Sequence, residues 1–129
     1  IFTSRNLRDQ KNRTGQFIAQ QEKMDFKKRL PLSFLPEIVR LGKEAHLKLV
    51  FVRIQTRPNR DNSYDPNLPM DRYVKDLSAY LDQNGASFHD FTGDPKIVWS
   101  MYQDGGHIAP QYMKFWTKNF VERLAEHLR

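Results

Sequence analysis

The sequence feature that most constrains the fold is a short, nearly continuous apolar run from Leu47 to Ile54, interrupted only by Lys48 and Arg53. The run is rich in β-branched residues, and its length fits a strand but falls far short of the ~20 residues that a membrane-spanning helix needs. A strand of this composition is typical of a parallel sheet that is buried on both faces. The run therefore predicts an α/β protein.

Helical periodicity is found on both sides of this strand. Upstream, Ser33 is the predicted N-cap of a helix that continues to about Ala45, with apolar residues recurring at helical spacing. Downstream, a long polar loop over 55–69 leads into a second helix over 70–81. Asn84-Gly85 is predicted to end that helix, because glycine readily adopts the left-handed conformation found after helix C-termini.

The rest of the chain completes the order helix, strand, helix, strand, helix. A short strand is predicted over 86–91, a helical turn is predicted after Asp94-Pro95, and Pro110 is predicted to begin the last helix. The apolar positions of that helix are interpreted as core residues, namely Tyr112, Phe115, Trp116, Phe120, Leu124 and Leu128. Because strands that alternate with helices pair in parallel, we predict a parallel sheet with helices on both faces.

Positive charge is concentrated at the start of the chain. Residues 1–30 hold eight basic and three acidic side chains, whereas residues 31–129 hold 13 basic and 12 acidic ones. We therefore divide the chain into a basic loop or helical segment over 1–30 and an α/β portion over 31–129. Weak helical character over 14–29 and the few apolar residues of this segment favour a solvated helix or an extended connection, and a polyanion-binding arm is the alternative. No nucleic-acid partner is expected, because basic and aromatic residues do not interleave there.

The first residues indicate that the chain is part of a longer protein. It begins at Ile1 instead of methionine, and Ile1-Phe2 is typical of the end of a buried strand. Only two convincing strands follow, fewer than an independent doubly wound domain normally contains. We therefore expect further strands to come from upstream sequence, joined through the basic segment.

Composition excludes several classes of site. The chain has no cysteine, which excludes disulfides, thiolate zinc sites and cysteine nucleophiles. Its four histidines are scattered, with no His-x-x-x-His pair and no carboxylate cluster, so no metal site is expected. No glycine-rich phosphate loop is present, and no cofactor is expected.

Asp104 and His107 form the first candidate site, separated by two glycines in a polar loop before the last helix. A carboxylate and an imidazole at this spacing can point into one cleft, where the histidine acts as a general base and the carboxylate orients it. The glycines suit a tight turn with close backbone approach. The spacing is also common by chance, with Asp104 starting a turn and His107 lying near the start of a helix, so both interpretations stay open.

A second candidate cluster follows the main predicted strand. Arg53, Gln55 and Arg57 flank its C-terminal end, where open parallel sheets usually bind their ligands. Their side chains suit an anionic or sugar substrate, because guanidinium and amide groups donate hydrogen bonds to oxygen atoms. The alternative is that they are solvated loop residues.

Residues 35–128 resemble the C-terminal part of the SGNH-hydrolase superfamily, which comprises Gly-Asp-Ser-Leu esterases and lipases and their acyltransferase relatives. The matching blocks are, in order, Leu49-Val50-Phe51-Val52, Tyr80-Leu81-Asp82-Gln83-Asn84-Gly85-Ala86, Asp90-Phe91, Asp94-Pro95, Asp104-Gly105-Gly106-His107-Ile108 and Phe115-Trp116-Thr117. The resemblance implies part of a flavodoxin-like, three-layer α/β fold. It also implies that His107 is the general base of a Ser-His-Asp arrangement and that Asp104 orients it. The likeness is closest to members that modify cell-surface polysaccharides, which implies an acylated polymer substrate and the cell envelope.

The chain departs from that family at the nucleophile. It contains no Gly-Asp-Ser block, since Gly93-Asp94 is followed by Pro95, and the family's glycine of the oxyanion site is also absent. We therefore expect an upstream part of the same protein to supply the nucleophilic serine, and we expect this chain to be inactive by itself. The alternative is a catalytically inactive SGNH-like module that binds a polymer or assembles a complex.

Overall fold

The computed structural model describes residues 24–129. The helices are α1 (Phe26–Arg29), α2 (Leu35–Glu44), α3 (Leu68–Gln83) and α4 (Met113–Leu128). The strands are β1 (Val50–Arg53), β2 (Ser87–Asp90), β3 (Tyr102–Asp104) and β4 (His107–Ile108). Short 3₁₀ turns span Leu30–Leu32, Trp99–Met101 and Pro110–Tyr112. The predicted strand end at Ile1-Phe2 and most of the basic segment over 1–30 lie outside the described residues.

β1 and β2 form a two-stranded parallel sheet, so the predicted α/β class and parallel pairing are confirmed. The Ser87 amide donates to the Leu49 carbonyl at 2.9 Å, and the Phe91 amide donates to the Arg53 carbonyl at 2.9 Å. Donor and acceptor both advance by four residues in the same direction, which is the pattern of a parallel pair. Within residues 24–129 each of these two strands has one paired edge and one unpaired edge.

The central strand is shorter and less buried than its sequence predicts. The apolar run from Leu47 to Ile54 yields only four strand residues in β1, and each of them is half-buried. The two ends of the run are 63% and 55% exposed. The prediction that this strand is buried on both faces is therefore wrong for the described residues. A strand is buried on both faces when it lies inside a wide sheet that helices cover on either side, and the described sheet has two strands.

The chain divides into two compact units, Ile1–Phe51 with Asn67–Phe88, and Val52–Pro66 with His89–Arg129. The core of the first unit is formed by the buried residues Val39, Leu81 and Ala86. Partly buried apolar residues pack around them, namely Leu35, Leu49, Phe51, Leu77, Tyr80 and Phe88. This core holds α2 and α3 in place by apolar burial.

The helical character predicted over 14–29 reaches the described residues only at its end, in α1. Asp25 has extended backbone, and its side chain accepts a hydrogen bond from the Lys28 amide, so it caps the helix that begins at Phe26. The Phe26 ring is buried against the rings of Tyr73 and Tyr80, with ring centroids 5.4 and 5.7 Å away.

α2 ends at Glu44, which agrees with the predicted end near Ala45. The helix begins one residue later than a Ser33 cap implies, with Phe34 at the N-cap position. The Ser33 hydroxyl still accepts a hydrogen bond from the Leu35 amide at 3.3 Å, so it satisfies one first-turn donor as predicted. Gly42 lies within this helix as a tolerated interior glycine.

Replacing Gly42 by alanine is expected to lower the free energy of unfolding by about 1–2 kcal/mol, although alanine is the better helix former. A Cβ atom at this position would lie 2.5 Å from Leu49 Cδ1 and 2.8 Å from Leu49 Cγ, so the partly buried Leu49 side chain would have to shift and lose packing. Urea unfolding measures the effect.

The matched control for Gly42 is the same substitution in a Leu49→Ala background, where the clashing atoms are gone. There we expect Gly42→Ala to stabilise the protein by up to ~1 kcal/mol through its helix propensity. Stabilisation of the same size in both backgrounds would contradict the close approach of Gly42 and Leu49.

α3 starts earlier than its periodicity predicts and ends where the sequence indicates. The Asn67 side chain accepts from the Met70 amide at 3.1 Å, and this cap allows Pro69 to occupy the first helical turn. Asn84 is the C-cap, and Gly85 follows with a left-handed φ of 74°. None of the helices of residues 24–129 combines the length and the apolar character that crossing a lipid bilayer would require.

Candidate functional site

The Asp104–His107 segment lies in the second unit and forms a β-hairpin. β3 and β4 pair antiparallel, with Tyr102 opposite Ile108 and Asp104 opposite His107. Directly opposed residues of an antiparallel pair place their side chains on the same face. The irregular loop predicted over 103–107 is therefore wrong, and the hairpin brings the carboxylate and the imidazole together.

The two glycines of this hairpin form its two-residue turn, so the predicted tight turn is confirmed. The residues with left-handed φ among glycines of the described chain are Gly85 and Gly93. A Cβ atom built on Gly105 or Gly106 would have open space within 4 Å, so no described residue approaches this turn closely.

The side chains of Asp104 and His107 are in direct contact. The distance from His107 Nδ1 to Asp104 Oδ1 is 2.5 Å, and Nε2 has no hydrogen-bond partner among the described residues. Because an ionised carboxylate only accepts, it holds the imidazole proton on Nδ1 and leaves the Nε2 lone pair free to act as a base. The side chains of His107 and Asp104 are 83% and 63% exposed, so water reaches both.

The side-chain amide of Gln55 makes its hydrogen bonds inside the second unit. The residue is 8% exposed. Its Nε2 donates to the Ile97 carbonyl at 2.8 Å, and its Oε1 accepts from the Asp94 amide at 2.8 Å. The Gln55 carbonyl accepts from the Tyr102 hydroxyl at 3.2 Å. Gln55 thus ties the chain after β1 to the segment that leads into the hairpin.

Asp94 is the centre of a buried polar network. Its Oδ2 accepts from Asn119 Nδ2 at 2.7 Å and from Arg123 Nη1 at 3.1 Å, and its Oδ1 accepts from the Lys96 amide at 2.9 Å. Burial by itself would raise the pKa of Asp94, but the hydrogen bonds from Asn119 and Lys96 and the charge of Arg123 outweigh it. The pKa therefore lies below its ordinary value, and the carboxyl is ionised at neutral pH.

A small cavity lies beside this network, with Gln55, Asp94 and Asn119 among its lining residues. Its volume is about 20 Å³. That volume holds about one water molecule and is too small for a sugar or an acyl group. The network is therefore a structural support, which fixes α4 against the segment before the hairpin.

Arg53 also has a partner within the protein. Its Nη1 lies 3.1 Å from Asp90 Oδ2 across the ends of β1 and β2. Asp90 accepts two further hydrogen bonds from Thr92, through the backbone amide and the hydroxyl. Burial would raise the pKa of Asp90, but the Thr92 bonds and the Arg53 charge lower it.

Arg57 lies against an aromatic ring. Its guanidinium carbon lies 4.7 Å from the centroid of Trp99, and that of Arg60 lies 5.5 Å from the same centroid. The three predicted substrate-binding residues thus make separate sets of contacts. Arg60 and Trp99 are missed by sequence reasoning, because they lie far apart in the chain and only the fold brings them together.

α4 corrects another sequence-based expectation. Phe115 and Leu128, which its periodicity predicts as core, are 45% and 46% exposed. The buried residue of this helix is the polar Asn119. One sequence signal could have indicated its burial, because Asn119 lies between the apolar residues Trp116 and Phe120. The rings of Trp116 and Phe120 stack with their centroids 5.3 Å apart.

Side-chain contacts organise the candidate site. Across residues 24–129, no group of three or more histidine and acidic side chains is arranged to hold a metal. Comparison with protein-family models, with curated proteins and with solved structures found no match to this chain. The function is therefore inferred from the geometry of the hairpin and of the loop beside Trp99.

Proposed function

We propose that this chain supplies the His-Asp half of the active site of an SGNH-type ester hydrolase or O-acyltransferase, acting on acylated polymers such as cell-surface polysaccharides. The observation that carries the proposal is the contact between His107 Nδ1 and Asp104 Oδ1, made by directly opposed hairpin residues. The order of elements also supports it, since a parallel strand pair is followed by this hairpin and then by a closing helix.

The proposed chemistry uses His107 twice. Nε2 takes the proton of a serine hydroxyl while the serine oxygen attacks the ester carbonyl carbon, and Asp104 stabilises the resulting imidazolium. The tetrahedral intermediate collapses, the alkoxide leaves with the proton from Nε2, and the acyl group stays on the serine. Water or an acceptor hydroxyl then loses its proton to Nε2 and attacks the acyl carbon. The bond from the acyl carbon to the serine oxygen breaks, and Nε2 returns the proton to that oxygen.

The nucleophile is proposed to come from an upstream part of the same protein. No serine among residues 24–129 donates to His107, and the Ser33 and Ser63 hydroxyls donate instead to the Leu30 carbonyl and to Asp61. The unpaired edges of β1 and β2 and the half-buried faces of β1 support the same proposal. Further strands would pair those edges, and further helices would complete a flavodoxin-like three-layer arrangement.

One observation favours a second function, a catalytically inactive SGNH-like module that binds a polymer or assembles a complex. His107 is 83% exposed and Asp104 is 63% exposed. Bulk water screens the charge interaction between a carboxylate and an imidazole, so an exposed pair stabilises the imidazolium less than a covered one. The enzyme proposal therefore requires that another segment of the full-length protein covers this hairpin.

A fluorophosphonate probe distinguishes the two functions, because it reacts with serines that an adjacent base has activated. With the full-length protein we expect labelling of one serine outside residues 24–129, and we expect heat denaturation to abolish it. Mass spectrometry identifies the labelled residue. A folded full-length protein that takes up no probe would contradict the enzyme and leave the binding module.

A further inference from the structure

Arg57 and Arg60 lie against one indole ring in the second unit. Their guanidinium carbons are 4.7 and 5.5 Å from the centroid of Trp99, within the range of cation–π attraction. The two guanidinium carbons can therefore be no further apart than the sum of these distances. Two positive charges thus flank the same indole ring.

Neither arginine has an anionic partner in the described chain. Among the ion pairs of residues 24–129, none involves Arg57 or Arg60, although two carboxylates belong to the same loop. Asp61 accepts from the Ser63 amide and hydroxyl, and Asp65 accepts from the Asn59 side chain at 3.1 Å. The guanidinium donors are therefore available to a ligand.

The loop that carries these arginines is fixed by its own hydrogen bonds. The Asn59 amide donates to the Ser63 carbonyl at 2.8 Å, and the Asn62 amide donates to the Asn59 carbonyl at 2.9 Å. Asn62 has a left-handed φ of 63°, and its Oδ1 accepts from the Trp99 amide at 2.8 Å. Because loop and tryptophan are already joined, a ligand loses little affinity to ordering them.

This arrangement suits an oxyanion. A guanidinium that lies against an aromatic ring keeps its N–H edge free, and that edge matches the two oxygens of a carboxylate or the oxygens of a sulfate. An anion between two guanidiniums also relieves their mutual repulsion. A nucleic-acid strand fits less well, because its bases need uncovered aromatic faces and the Trp99 ring already carries both arginines.

We propose that Arg57, Arg60 and Trp99 form a binding site for the oxyanion groups of an acidic polysaccharide. The inference rests on the proposed polymer substrate and names its class. Trp99 begins the 3₁₀ turn that leads directly into β3. The Cα atoms of Trp99 and Asp104 are at most ~18 Å apart, since five extended residues reach no further. One glycan chain can therefore contact the arginines and extend toward His107.

The test measures binding of the full chain to three glycans by calorimetry at low ionic strength. Polygalacturonate presents carboxylates and dextran sulfate presents sulfates. Dextran is the uncharged control for dextran sulfate. We expect binding to an acidic glycan and none to dextran, and the tighter acidic glycan identifies the oxyanion. The proposal would be overturned if the protein bound neither acidic glycan or bound dextran as tightly as dextran sulfate. Tighter binding of single-stranded oligothymidine than of either acidic glycan would also overturn it.

Substitutions assign the binding to this loop. Arg57→Gln and Arg60→Gln are each expected to weaken binding about three- to tenfold, which is the range for charged hydrogen bonds at a partly exposed site. Arg72→Gln is the matched control, because Arg72 is an exposed arginine of α3 in the first unit, and its affinity should change less than about twofold. Equal weakening by all three variants would show a nonspecific charge effect and overturn the site.

The same binding assay separates this inference from the proposed enzyme. His107→Asn should bind the acidic glycan as the unsubstituted protein does, because His107 is not part of the arginine loop. Loss of ester cleavage with unchanged binding in that variant supports both proposals. Cleavage that depends on His107, in a protein that binds no acidic glycan, would overturn the arginine site and leave the enzyme intact.

Discussion

Replacing His107 by asparagine in the full-length protein is expected to lower kcat for ester cleavage or acyl transfer by about a thousandfold or more. Asparagine keeps the size and the polarity of the side chain but has no basic ring nitrogen, so that it cannot take the serine proton. KM should change little, because His107 is proposed to act on the proton and not on the binding of the polymer. Release of acetate from an acetylated glycan measures both constants.

The matched control for His107 is His46→Asn. His46 is also an exposed histidine, and its left-handed φ of 55° is one that asparagine tolerates. Activity within about twofold of the unsubstituted protein is expected for His46→Asn, as for a surface change away from the site.

Asp104→Asn should lower kcat by a smaller factor than His107→Asn, since the base remains. An active His107→Asn protein would contradict the catalytic role.

Replacing Asp94 by alanine is expected to lower the free energy of unfolding by about 3 kcal/mol at neutral pH. The carboxylate is 7% exposed and receives hydrogen bonds from Asn119, Arg123 and the Lys96 amide. Its removal leaves the Asn119 amide buried without its acceptor and the partly buried Arg123 cation without its partner. Urea unfolding followed by circular dichroism measures the loss.

The stabilisation by Asp94 should depend on pH in one direction. Because the pKa of Asp94 is lowered in the folded protein, its contribution is complete above the unfolded-state pKa of about 3.9 and is lost as the pH falls through the folded value. The difference between the unsubstituted protein and Asp94→Ala should therefore shrink below about pH 4.

The control for Asp94 is Asp82→Ala, which removes an exposed aspartate of α3. It should change the free energy of unfolding by less than about 0.5 kcal/mol. A loss for Asp94→Ala that is as small as that for Asp82→Ala would contradict the network. A loss that persists unchanged at pH 3 would instead show that the carboxylate charge is not its cause.

Local chemistry explains which parts of the fold could be predicted. The helix containing Gly42 and the helix that ends at Asn84-Gly85 carry apolar periodicity and end signals within a few residues, so their type and ends follow from the sequence. The strand pair β1 and β2 follows from two short apolar segments on either side of a helix. The hairpin at Asp104–His107 was missed, because two short strands of polar residues look like a loop.

The contacts of the candidate site also differ in whether the sequence could predict them. The three-residue spacing of Asp104 and His107 keeps them close in any tight turn, so their contact could be expected before the hairpin was known. Arg57 and Trp99 are separated by more than forty positions, and no local pattern connects them. Their contact depends on the bond from the Trp99 amide to Asn62.

The sequence by itself determined the three longer helices, the parallel strand pair and the residues that could act as base and orienting carboxylate, because these depend on periodicity and short spacing. The tertiary structure decided what each polar side chain touches. It gave Gln55 and Arg53 partners within the protein, buried Asp94 and Asn119 together, and left Arg57 and Arg60 with free donors. These outcomes depend on long-range contacts, in which a buried polar group must find a partner and an exposed one need not.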